Sequence, residues 1–342
     1  MTTSQALGHY LKALAIVVLT VPLTAATGNV RIIQTNSAGD NVHVIDPVTN
    51  KVVGIIEGIE VSHGATATPD GSRIYVSNEA DHTLDVVDGK TLKVIKKIVL
   101  SGRPNNIASG KDGRRVYVSI AAAPGGVDVI DTASAEKVKT IPTKGTIHNT
   151  YVTPDGKYVV SGSIPAKNIT VIDAKTEQVA WTFDFDLGVR PMAFSANPDG
   201  STKWIFAQLS ELNGFAVVDF NTRKEVTRIK NPDLAPGKAA VTVGGNASHG
   251  MAVTPDSKTL IVNSRLNSAV YKYSLPDLKL VGTTDIAGID PNWVTLTPDG
   301  EKAYVAIAGS NFVAAIDVKS MKQVARIPVG WVPKRNATAI LP

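Results

Sequence analysis

The chain has no cysteine in 342 residues. That removes thiol nucleophiles, thiolate metal ligation, disulfide staples and covalent c-type haem attachment from the possible chemistries. Long hydrophobic runs are almost as scarce. The clearest, ALAIVVLTVPL after Lys12, is shorter than the roughly 20 residues that cross a bilayer. It is followed by the small residues Thr24 to Thr27, and this order of regions predicts a secretory signal peptide over residues 1–26, with export to the periplasm or medium. No stable membrane span is expected after cleavage. Runs of like charge are also missing: Lys and Arg are dispersed and the net charge is only +5. Without a basic stripe carrying aromatics, nucleic acid is not an expected partner.

What the chain does have is a repeat. A turn phrase recurs at Pro69-Asp70-Gly71, Lys111-Asp112-Gly113, Pro154-Asp155-Gly156, Pro198-Asp199-Gly200, Pro255-Asp256-Ser257 and Pro298-Asp299-Gly300, with spacings of 42, 43, 44, 57 and 43 residues. A period near 40 decides the architecture before any single residue does. Each unit carries four apolar pulses, as in GATAT, RIYVSN, LDVVD and KVIKKIVL of the unit from His63, mostly rich in β-branched residues and bounded by Gly, Asn or Asp. Four short strands bury too little alone, so such units stack around an axis.

The ends set the blade number. Before the first full repeat, VRIIQ, NVHVID and KVVGII supply a second, third and fourth strand; after the last, residues 331–342 supply a first strand with nothing behind it. Six full repeats and one composite predict an all-β, seven-bladed β-propeller of four-stranded blades filling residues 27–342 as one domain. The N- and C-terminal strands share one blade, which closes the ring and removes two free edges.

The phrases SHGATATPDGSRIYVSNEADHTLDVVD from Ser62, SHGMAVTPDSKTLIVNS from Ser248 and PNWVTLTPDGEKAYVAIAGSNFVAAID from Pro291 resemble the YVTN-type β-propeller repeat family, surface-layer-like and periplasmic proteins among them. The resemblance spans essentially the whole mature chain and implies the propeller fold. It implies no single activity. Propellers of similar repeat type occur in lactonases, streptogramin lyases and haem-binding nitrite reductase domains, whose diagnostic motifs are not evident.

Propeller chemistry gathers at the channel mouth, where the first strand of each blade begins. Counting six residues back from each turn gives a ring of seven slots: His63, Asn105, His148, Met192, His249, Asn292 and, by extrapolation, Lys334. Two residues before two of these slots stand Arg103 and Arg190, and the tail adds Arg335 beside Lys334. Cations around a concave mouth focus an anion such as a carboxylate or phosphate. Three histidines in alternating blades, His63, His148 and His249, offer another reading: a site for Cu, Zn or Fe, with Met192 favouring copper. No cofactor follows from sequence beyond that possible transition metal. The extra residues of the 57-residue spacing, 231–248, form a loop on the same face and suit a lid or partner contact.

Two functions are therefore expected in order. The first is an exported binding or scaffold protein that takes a small anionic ligand or a protein partner on this face. The alternative is a metal-dependent propeller enzyme, a lyase, lactone hydrolase or oxidoreductase, with the three-histidine channel site.

Overall fold

A computed structural model describes residues 29–234, 236–241 and 246–342. The expected signal peptide lies outside them. Within them, seven antiparallel four-stranded sheets follow one another around an axis. Blade 1 opens with strand Ser62–Ala67, blade 2 with Pro104–Ser109, blade 3 with Asn149–Val152, blade 4 with Val189–Ala196, blade 5 with Ser248–Val253 and blade 6 with Pro291–Leu296. Blade 7 is the composite. Its first strand, Pro333–Leu341, pairs with Asn29–Asn36, setting Ile340 against Val30 and Asn336 against Gln34.

The turn phrase makes the blades through side-chain chemistry. In blades 1, 3, 5 and 6 the threonine before the proline donates its hydroxyl to the aspartate, Thr68 to Asp70 at 2.5 Å and Thr254 to Asp256 at 2.6 Å, and the same aspartate oxygen accepts a backbone N–H two residues on. Gly71, Gly113, Gly156 and Gly300 follow with φ between +68 and +74°, which glycine adopts without steric cost. A second aspartate, at the end of the third strand, accepts N–H groups of the turn into the outer strand: Asp88, Asp131, Asp173, Asp219 and Asp317 all do so.

The core lies between blades. Leu84 and Val86 of blade 1 pack with Ile107, Val116 and Val118 of blade 2, and Val160, Ile169 and Val171 of blade 3 pack with Ile205, Ala207 and Val218 of blade 4. Each fully buried aliphatic side chain contributes on the order of 1.5–3 kcal/mol. Outer strands such as Lys51–Glu57 alternate exposed with half-buried residues, as an edge facing water should. The result is a rigid ring whose seven innermost strands all start on one face.

Candidate functional site

Strand register identifies the true slot of each blade. In blades 1, 2, 3, 5 and 6, residues Ala65, Ile107, Thr150, Met251 and Val294 pair with the same position of the second strand, two residues beyond His63, Asn105, His148, His249 and Asn292. Asn336 does the same against Gln34, which confirms Lys334 as the seventh slot. Blade 4 departs. There Met192, not a residue two further on, takes the equivalent pairing with Ala207, because a register shift between Ser195 and Ala196 adds residues before the turn. Met192 is therefore not a slot residue: its side chain is buried in the blade 3–blade 4 core, and Arg190 occupies the slot. The observed ring is His63, Asn105, His148, Arg190, His249, Asn292 and Lys334.

One residue past the Lys334 slot stands Arg335, expected from the tail as a mouth cation though not as a slot residue. It is 1 % exposed and crosses the channel. Its Nη1 donates to Asn149 Oδ1 at 2.5 Å, its Nη2 to Asn105 Oδ1 at 2.6 Å, and its guanidinium carbon lies 4.1 Å from the ring centre of Trp293. Blades 2, 3, 6 and 7 thus meet on one side chain. Burial lowers its pKa to about 10, so it stays a cation at neutral pH. The charged pair in the tail phrase Pro333-Lys334-Arg335 was the available signal, since other blades place Gly64, Asn106 and Gly250 at Arg335's position.

The three histidines are held in different ways. His63 Nδ1 contacts Glu79 Oε1 at 2.8 Å and donates its proton to that carboxylate. Glu79, from the loop after the second strand of blade 1, also accepts from Asn105 Nδ2 at 3.4 Å and faces Arg103 at 3.4 Å. His249 Nδ1 lies 2.7 Å from the backbone oxygen of Asn292. A carbonyl only accepts, so Nδ1 carries the proton and Nε2 the lone pair. His148 is the reverse. Asn149 gives its oxygen to Arg335, which turns its amide nitrogen toward His148 Nδ1 at 2.5 Å; Nδ1 accepts, and the proton sits on Nε2. The rings of His148 and His249 meet edge to face with centroids 6.0 Å apart.

All three imidazoles are neutral at neutral pH. Burial depresses each pKa, Arg335 adds to the effect, and His63 falls to about 4 despite Glu79. Glu79 is lowered: burial opposes ionisation, and the His63 hydrogen bond with the nearby cations outweighs it. Burial likewise lowers Lys334 and Arg190. Arg190 Nε donates to Ser210 at 3.0 Å, and Arg265 pairs with Asp290. The mouth thus collects Arg103, Arg190, Arg265, Lys334 and Arg335 against Glu79 and Asp290.

The expected three-histidine metal set does not form. Among the described residues no three metal-ligating side chains of His, Asp or Glu converge. The reason is local: the lone pair of His148 is on Nδ1 and is taken by the Asn149 amide, and the Arg335 cation lies beside all three rings. The described residues of the 231–248 connection are tied to blade 5, where Asn267 Nδ2 donates to the Pro232 carbonyl at 2.8 Å and Lys238 pairs with Asp285 at 2.7 Å. Among the described residues no helix is long and apolar enough to cross a membrane.

Comparison with known proteins adds the family. The model "Lactonase, 7-bladed beta-propeller" matches residues 127–324, and "Cytochrome D1 heme domain" matches residues 25–185. No curated protein matches in sequence. Among solved structures, hydrazine synthase of Kuenenia stuttgartiensis is 24 % identical with a TM-score of 0.72, covering 83 % of this chain and 91 % of that one. A putative 6-phosphogluconolactonase of Bacteroides fragilis is 16 % identical with a TM-score of 0.74, covering 92 % and 99 %. A periplasmic gluconolactonase of Pseudomonas aeruginosa is 18 % identical with a TM-score of 0.71, covering 92 % and 100 %. At these identities the structures speak for the fold, and they agree with the propeller that the repeat resemblance implied. The family match overturns the expectation of a non-enzymatic binding or scaffold protein and fits the lactone-hydrolase alternative better. Because the matched stretch covers more than half of the chain, the chain belongs to the lactonase family of seven-bladed β-propellers.

Proposed function

We propose that the protein hydrolyses a lactone at the slot-face mouth, without the three-histidine metal centre. The observation that carries this reading is the pair of neutral imidazoles with opposite tautomers: His249, with a lone pair on Nε2, and His148, with a proton on Nε2, 6.0 Å apart and beside two buried cations. Ester cleavage needs such a division, a base for water and donors for the developing oxyanion.

Water adds to the acyl carbon while His249 Nε2 takes one of its protons. The carbonyl electron pair moves onto oxygen, stabilised by His148 Nε2–H and the Lys334 ammonium. The intermediate then expels the ring oxygen, which takes the proton back from the His249 imidazolium, and the product is a hydroxy acid. Arg190, Lys334 and Arg335 favour a substrate and product that bear negative charge. The leader-like residues 1–26 and the periplasmic relative support an exported enzyme.

A tetrapyrrole, suggested by the second family match, does not fit the described residues. His148 and His249 are packed too closely for a macrocycle to lie between them, and a fixed guanidinium charge sits beside every imidazole.

Acid release from gluconolactone and from a simple uncharged lactone, followed at constant pH, tests the reading. His249→Ala should lower kcat/KM by about 10²- to 10⁴-fold, the usual contribution of a general base, with the melting temperature little changed. Hydrolysis at the uncatalysed rate by the native protein, or an unaffected His249→Ala enzyme, rules the proposal out.

A further inference from the structure

The channel has a second half that hydrolysis does not use. On the turn side of Arg335 the innermost strands line an open-mouthed cavity of about 650 Å³, within the range of small-molecule sites. None of the seven slot residues lines it. Its walls include Trp293, Tyr151, Phe194, Met192 and Met251, and Trp293 is also the ring on which Arg335 rests. Met192, displaced from the slot by the blade 4 register shift, thus helps to form this chamber.

The chamber is open for a reason readable in the strands. At the third position past each slot, six of the seven blades carry Ala or Thr, four of which, Ala193, Ala252, Thr295 and Ala337, line the cavity; the seventh carries Tyr151. Small side chains there keep the channel from filling, while aromatic rings and thioethers supply flat, polarisable contact. No carboxylate lines the space. Its single charged lining residue is Lys111, exposed at the rim and without an ion-pair partner among the described residues.

We propose that this turn-side chamber is a second binding site, taking a small flat aromatic molecule with one anionic group that meets Lys111. Arg335, stacked on Trp293, partitions it from the hydrolytic mouth.

The probe 8-anilinonaphthalene-1-sulfonate, which is flat, aromatic and singly anionic, tests this on the full chain. One-to-one saturable binding with energy transfer from tryptophan is expected. Trp293→Phe should remove most of the transfer, Ala252→Trp should weaken binding at least tenfold by filling the chamber, and Lys111→Glu, at an exposed rim position, at least threefold. His249→Ala in the other mouth should leave binding unchanged. Native-like binding by both Ala252→Trp and Lys111→Glu, or its loss in His249→Ala, overturns the proposal. If Ala252→Trp does not fold, Lys111→Glu and Trp293→Phe decide the matter alone.

Discussion

Arg335 and Asn149 are 186 residues apart in the chain and 2.5 Å apart in space, joined Nη1 to Oδ1 across the central channel. The bond fixes the asparagine amide, and the amide fixes the tautomer of His148. A residue of the composite blade thereby sets the protonation pattern of a histidine in blade 3.

Replacing Arg335 with Ala orphans two buried amide oxygens, at roughly 1–3 kcal/mol each. We expect a clear loss of stability, with Arg335→Lys intermediate because an ammonium cannot bridge both partners as the planar fork does. Urea denaturation measures it; an Ala variant with the native midpoint would show that the cross-channel bonds contribute nothing.

Stability should fall with mild acid. The folded pKa of each channel histidine lies below its unfolded value near 6.5, so between the two the unfolded chain binds more protons. The contribution is complete above pH 6.5 and is lost as pH falls toward the folded values, about 4 for His63. Each histidine adds a slope of up to about 1.4 kcal/mol per pH unit. Glu79, lowered in the fold, acts in the same direction at still lower pH. Melting curves from pH 7.5 to 4.5 check the sign, and a flat profile from 7 to 5 contradicts it.

Two glycines separate strain from contact. Gly250 and Gly200 have nearly the same φ, +82 and +84°, but a Cβ on Gly250 would meet the Asn292 carbonyl and Trp293 Cα at 2.8 Å, while one on Gly200 meets nothing within 4 Å. Gly200→Ala should cost only the left-handed backbone penalty, about 1–2 kcal/mol. Gly250→Ala should cost more and also depress lactone hydrolysis, because it pushes away the carbonyl that seats His249. Equal losses in the two variants would count against that seating.

Ending the chain before Pro333 should abolish cooperative folding of the whole ring instead of fraying one strand, because it exposes the edge of Asn29–Asn36 and removes the strand packed between blades 6 and 1. The expected signature is loss of the single unfolding transition; a truncated protein that melts like the full chain disproves closure by this strand.

The repeat made the fold legible, since six turns, their spacing and the strands left over at the two ends determine blades, strand order and closure. It made five mid-chain slots legible for the same reason, and extrapolation placed Lys334. It failed at Met192, where an irregularity between Ser195 and Ala196 displaces the count and puts Arg190 in the mouth. Glu79 and the cross-channel bonds of Arg335 escaped because they depend on reach between blades, which no linear period encodes. The imidazole tautomers likewise follow from an amide and a carbonyl on neighbouring blades.

The clasp between Asn29–Asn36 and Pro333–Leu341 has a consequence beyond holding the ring shut. Lys334 and Arg335 ride on that strand, so the mouth acquires two of its cations only when the clasp engages. On the proposed function, competence for hydrolysis is then a read-out of assembly: the last strand to be made completes the fold and the charge of the site in one step.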